Sequence, residues 1–419
     1  ERTYHLFVPA IVCDGDFSSP NSGTPTETPA SEPILPLLFA VHCYGCSSRQ
    51  MIHFTAVAEE YGFVLVVPEG LDSGWNAVNC CGRSLERDVD DLGFLGRIVD
   101  ELAASKGDSP GGKSLPFVHH ELAYAVGWSN GGYVVTYAAR LFRAIAPVSG
   151  YIYQNLEAVV DMDRPVGIFM HHGADDPMVR IGGCCTDASK PHCCCGISST
   201  ADTCISADAF LDTWSELIGC EPGSTGQVSV PYNLARGIEC RTASGPKCRA
   251  NATICIHANG QHFNIPSFEQ AFPMANEVGD FFARDACENT GAGGALWDSK
   301  EKKCSCPVLD GESSASSPYC MTISDLDTSL NMSGAKAKIG GAGQAGTVSD
   351  GGVSSSGSSS QLRAVALLSF VVVLLLLVTI KRRVASVIVN EGSKYSPVAS
   401  EDDKIDISTS AVLELRERR

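Results

Sequence analysis

The sequence is short of positive charge. Lysine and arginine number 31 against 48 aspartates and glutamates, a net charge of −17 over 419 residues. Phosphate backbones need a positive surface, so no nucleic-acid partner is expected. Internal repeats are lacking as well, and the length exceeds what one hydrophobic core usually serves. One large domain plus accessory segments is the expectation. A shortage of apolar residues is not among its lacks: at 44% hydrophobic and 19% charged the chain is globular rather than disordered. It has no initiator Met and opens at Glu1, directly before the alternating stretch Thr3–Val8. This fits a secreted chain after signal removal, and a truncated gene model equally. What is abundant is cysteine. Nineteen suit an oxidising compartment, and the odd number leaves at least one free, intermolecular or modified.

Ala364 to Ile380 is uncharged, AVALLSFVVVLLLLVTI. It lies at the short end of the roughly 17–25 residues that span a bilayer. Arg363 and Lys381 bracket it with stems that can snorkel. Lys381, Arg382 and Arg383 follow, and positive residues stay cytoplasmic, so the N-terminal bulk is expected outside and the tail inside. Before the run, the sequence turns to glycine, serine and alanine, which reads as a stalk. The expected parts are a large N-terminal domain (1–285), a small Cys-rich segment (286–321), a stalk (322–361), one transmembrane helix (362–381) and a cytoplasmic tail (382–419). Asn251 and Asn331 open glycosylation triplets on the expected outer side, at the cell surface or in a secretory-pathway membrane.

From Glu1 to about Asp285 short apolar runs bounded by turn residues recur. They are Leu37–Val41, Phe63–Val67, Val166–Met170 and Thr253–Ile256. Runs of this kind suit strands buried on both faces. Between them Leu92, Leu95, Val99 and Leu102 keep helical spacing, as do Phe210, Trp214 and Leu217. Strands alternating with helices predict an α/β fold with a mostly parallel sheet.

The stretch that carries chemistry is Leu122–Gly132. An apolar strand runs into Gly127-Trp128-Ser129-Asn130-Gly131, and a helix-compatible segment follows. A strand-to-helix turn this tight strains the serine and exposes its Oγ above the sheet. A hydroxyl needs a base, and the base an orienting carboxylate. In hydrolases of this architecture they follow in the order Ser, acid, His. Asp175 and Asp176 both qualify, just past the strand at Val166–Met170. His262 sits in a glycine-bearing loop past Thr253–Ile256, where a catalytic imidazole belongs, and His257 reads as structural.

Further motifs are Pro36–His42, Val66–Gly70, Ser73–Asn76, Asp90–Leu95, Ala144–Gly150 and His172–Asp176. With the serine turn they make the chain resemble the extracellular α/β-hydrolase esterases grouped as polyhydroxybutyrate depolymerases and feruloyl or acetylxylan esterases. The resemblance covers about residues 3–275. It implies the α/β-hydrolase fold, with Ser129 as nucleophile, Asp176 as acid and His262 as base. Backbone N–H groups of Asn130 and Tyr44 become the expected oxyanion donors, and Trp75 an expected substrate contact. Where the family has His-Gly, this chain has His42-Cys43.

No cofactor and no metal are expected. His192–Cys195 lacks the ligand spacing of a zinc site. Cys43 or Cys46 could bridge to Cys80 or Cys81 near the site mouth, and the sequence leaves the connectivity open. The expected activity is a membrane-anchored serine carboxylic ester hydrolase acting on feruloyl, acetyl or hydroxyalkanoate esters. The alternative is an inactive hydrolase-fold protein that binds a glycan or protein.

Overall fold

A computed structural model describes residues 2–10, 34–77, 82–104, 117–151, 156–160, 163–183, 205–228, 237–243, 245–262, 274–289, 295–305, 319 and 412–416. The expected stalk, transmembrane run, Asn331 and cysteines 80, 81 and 184–204 lie outside them. No helix of the described residues is long and apolar enough to cross a membrane.

The strands are β1 (Thr3–Phe7), β2 (Ile34–Val41), β3 (Val64–Pro68), β4 (Phe117–Trp128), β5 (Ala144–Val148), β6 (Gly167–Gly173), β7 (Thr225–Val228), β8 (Ile238–Ala243), β9 (Ala252–His257), β10 (Leu296–Asp298), β11 (Lys303–Ser305) and β12 (Val412–Arg416). The main helices are α1 (Phe54–Tyr61), α2 (Asp91–Ala104), α3 (Asn130–Tyr137), α4 (Ala207–Leu217) and α5 (Met274–Glu288). Ten strands form one mixed sheet in the order β12-β1-β3-β2-β4-β5-β6-β9-β8-β7. The centre from β3 to β9 is parallel, and β1, β8 and β7 pair antiparallel at the edges. This is a mostly parallel sheet with flanking helices, as the alternation of apolar runs predicts.

The apolar runs are continuous because both faces are covered. Leu37, Phe39 and Val41 of β2 pack into one core, under α2, α3 and α4. Leu38 and Ala40 point the other way, into the core under α1 and α5. Successive strand residues face opposite sides, so neither face could be polar. Leu95, Ile98 and Leu102 of α2 lie one turn apart on its buried stripe.

Sheet order decides where a site can form. From β2 the chain first moves outward to β3, then returns across β2 to β4 and continues to β5 and β6. The direction of winding reverses between β2 and β4. Loops leaving the carboxyl ends of two such strands diverge and leave a crevice. Val41 aligns with Gly127 there, so the loop after β2 starts beside the turn after β4.

The segment expected as a separate Cys-rich module is part of this body. Cys287, on α5, is bonded to Cys304 on the β10–β11 hairpin. Tyr319 is buried in the same core as α1 and α5, and its hydroxyl donates to the Tyr61 carbonyl. Aromatic packing of Trp297 against Tyr61 and Tyr319 gives this short piece the core it could not build alone.

Candidate active site

The turn after β4 places Ser129 first. Its φ of 54° and ψ of −115° lie outside the regions L-residues prefer. The strain is held by the sheet: Ser129 N–H donates to Val148 O at 2.8 Å, and its carbonyl accepts from Tyr133 N–H at 3.1 Å. The flanking glycines are required by close approach. A Cβ on Gly127 would strike the Gly131 carbonyl, and one on Gly131 the Val41 carbonyl. Asn130 begins α3, where the first N–H groups point along the helix axis toward the serine.

The loops after β6 and β9 bring the other two groups. These strands pair in register as far as Gly173 and His257. The pairing then continues as irregular backbone bonds, Ala174 N–H to His257 O at 2.9 Å and Asp175 N–H to Gly260 O at 2.8 Å. The loops are thereby knitted together, and Asp176 comes beside His262. His262 Nδ1 lies 2.9 Å from Asp176 Oδ2, and His262 Nε2 lies 2.9 Å from Ser129 Oγ. Chain positions 129, 176 and 262 thus meet in one hydrogen-bonded line. Of the two aspartates open at sequence level, Asp175 is exposed and Asp176 is buried.

Asp176 is held rigidly. Oδ1 accepts from Met178 N–H at 2.8 Å and Val179 N–H at 2.9 Å. His172 Nε2 donates to Val179 O at 2.7 Å and stands 3.5 Å from Asp176 Oδ2. Burial pushes the His172 imidazole below its usual value, against the opposing pull of Asp176. His172 is therefore a neutral strut beneath the acid. It belongs to the quoted His172–Asp176 motif, but its partner, a carbonyl seven residues on, carried no sequence signal.

The loop after β2 closes the other side. His42 Nδ1–H donates to Cys43 O at 2.8 Å, and Nε2 accepts from Gly70 N–H at 2.9 Å. This pattern fits the neutral ring, and burial indeed lowers its pKa. The Asn130 side chain pairs twice with the Trp75 backbone, at 2.7 and 3.1 Å.

Two expectations fail here. Trp75 is not on a surface that a substrate meets: its side chain is fully buried, and its indole N–H donates to His42 O at 2.9 Å. Its ring packs against the His42 imidazole and under the Arg2 guanidinium, so it braces the loop from inside. Cys43 is bonded to Cys46, three residues on, and so is not paired with Cys80 or Cys81, which lie outside the described residues. Tyr44 is half exposed, and Asn251, just before β9, is exposed. Among the described residues no group of acidic, histidine or cysteine side chains could hold a metal ion.

No family model matches the chain, and no curated protein matches it. Among solved structures it is similar to a phospholipase/carboxylesterase from Dyadobacter fermentans, at 11% identity and TM-score 0.34, covering 60% of this chain and 93% of that one. It is also similar to an S-formylglutathione hydrolase from Agrobacterium tumefaciens, at 9% identity and TM-score 0.32, covering 67% and 89%. A 2,6-dihydroxy-pseudo-oxynicotine hydrolase is comparable, at 12% identity and TM-score 0.34, covering 67% and 64%.

Proposed function

We propose that this protein is a serine hydrolase of carboxylic esters. The observation that carries the reading is the line Ser129 Oγ, His262, Asp176, with both links at 2.9 Å. In this reading His262 Nε2 takes the serine proton as Oγ attacks the ester carbonyl. Asp176 fixes the tautomer and stabilises the imidazolium. Backbone N–H groups of Asn130 and Tyr44 receive the oxyanion, each such donor worth about 3 kcal/mol of barrier. The alcohol leaves with the proton, and water then cleaves the acyl-enzyme with the same histidine as base. Feruloyl-polysaccharide, acetyl-xylan and hydroxyalkanoate esters are the substrate classes to screen, on the motif resemblance alone. The full chain should turn over p-nitrophenyl acetate and at least one of these, and Ser129→Ala should abolish both. Equal turnover by Ser129→Ala would sink the reading, and no turnover by the wild-type chain would favour a glycan- or protein-binding role.

Anchoring through 364–380, with the catalytic domain outside and sugars at Asn251 and Asn331, is the second part of the proposal. It excludes the β1–β12 pairing in the same molecule, because the span would put 412–416 across the bilayer. Burying an apolar side chain is worth about 1.5–3 kcal/mol. A ladder hydrogen bond nets only about 1 kcal/mol, so a long apolar run outweighs a five-residue edge strand. In sealed vesicles with the domain outward, a C-terminal epitope should survive protease. Its digestion without detergent would refute the anchor.

A further inference from the structure

The loop that follows β2 is held more tightly than a surface turn needs. Cys43-Tyr44-Gly45-Cys46 is a four-residue turn closed by Cys46 N–H to Cys43 O at 3.3 Å. Its left-handed residue is Gly45, with φ of 73°. That conformation favours glycine at the third position of such a turn. The Gly45 N–H donates to Ser73 O at 2.7 Å. The Cys43 carbonyl also accepts from His42 Nδ1, and the His42 carbonyl from the Trp75 indole. Nearly every polar backbone group of the loop is thereby assigned a direction. Among the described residues the Tyr44 N–H has no acceptor.

Direction follows from peptide geometry. In a trans, planar unit the C=O and N–H point oppositely. The Cys43 carbonyl is turned back to the imidazole and to the Cys46 amide, so the Tyr44 N–H is turned away from both. Tyr44 itself lies over Gly74, whose added Cβ would meet the Tyr44 ring and, at 3.4 Å, Asn130 Oδ1. This places the turn beside the residue that follows the nucleophile.

The disulfide has a role to match. It closes a separation of 3 residues, against 28, 15 and 17 for the other described bridges. The entropy a bridge removes from the unfolded chain grows with loop length, so this one does least for global stability. Its effect is local. Cys46 is half-buried and Cys43 buried, so the bond reaches from the loop's rim to its base.

We propose that the Cys43–Cys46 disulfide is a positioning element of the oxyanion site, locking the turn so that the Tyr44 N–H faces the carbonyl oxygen of a bound ester. The inference rests on the esterase reading. A donor that acts on the developing oxyanion lowers the barrier without tightening ground-state binding.

The test uses the full chain and p-nitrophenyl acetate. Cys43→Ala/Cys46→Ala should lower kcat at least about tenfold with KM within about twofold. Cys287→Ala/Cys304→Ala, which cuts a bridge far along the chain, should leave kcat within about twofold. A kcat for the first variant equal to wild type, or a raised KM at unchanged kcat, overturns the proposal. If that variant does not fold, Cys43→Gly/Cys46→Ser is read in the same way, and failure of both to fold also overturns it. An inactive wild type is a separate result: it withdraws the esterase reading before any variant is compared.

Discussion

Two sets of histidines lie within a few residues of the same two strand ends, and they differ completely. His262 keeps 21% of its side chain exposed and stands between a hydroxyl and a carboxylate. His171, His172 and His257 are buried, and their bonds go inward. His171 Nδ1 meets His257 Nε2 at 3.3 Å, and His172 meets the Val179 carbonyl. Burial pushes all three below the usual imidazole value, His257 to about 4, with the His172 ring adding to the effect. An imidazole works as a base only where solvent or substrate can reach it and a carboxylate shares its proton. Elsewhere in the same loops it is a neutral strut.

The largest way to break the contrast is to disarm the exposed set. Asp176→Asn should leave the fold intact and cost about 10⁴-fold in kcat, because the amide favours the wrong tautomer of His262. Steady-state kinetics with a thermal melt checks it, and a loss below tenfold would refute the assigned acid. The buried set should act on stability instead. His257 binds a proton near pH 6.5 when unfolded and near pH 4 when folded. Between those values the unfolded chain holds more protons, so stability is full above pH 6.5 and falls as pH drops toward 4. One such group costs about 3.5 kcal/mol over the whole range at about 1.4 kcal/mol per pH unit, and most of that by pH 4.5. Urea unfolding at pH 7 and pH 4.5 should show that loss, and His257→Asn should shrink it. An identical pH dependence in the variant would contradict the strut role.

The parallel centre of the sheet was legible because burial on both faces leaves an unbroken apolar run in the sequence. Leu37–Val41 and Phe63–Val67 match β2 and β3 to within a few residues. The alternating Thr3–Val8 became β1, and the leucine stripe became α2. β8 was not legible, since Ile238–Ala243 is an edge-side strand of mixed polarity paired antiparallel with β9. The amino half of β4 was hidden too, where His119 and Glu121 interrupt the apolar pattern near a register shift against β2. At the site, residues that follow strand ends could be picked by order, and Ser129, Asp176 and His262 do meet. Trp75 could not be placed, because a W-N pair next to a loop says nothing about which way the ring turns. Here it turns inward, to a carbonyl that only the fold brings near. The Cys43–Cys46 bond was equally silent, since spacing allows several pairings and only the turn at Gly45 selects this one.

The central claim is that Ser129 carries an activated oxygen. Intact-mass analysis after treatment with a fluorophosphonate measures this directly. The account predicts one adduct per chain, mapped to Ser129, absent in Ser129→Ala and nearly absent in His262→Ala. A wild-type protein that stays unmodified, or an adduct that persists in Ser129→Ala, would contradict it.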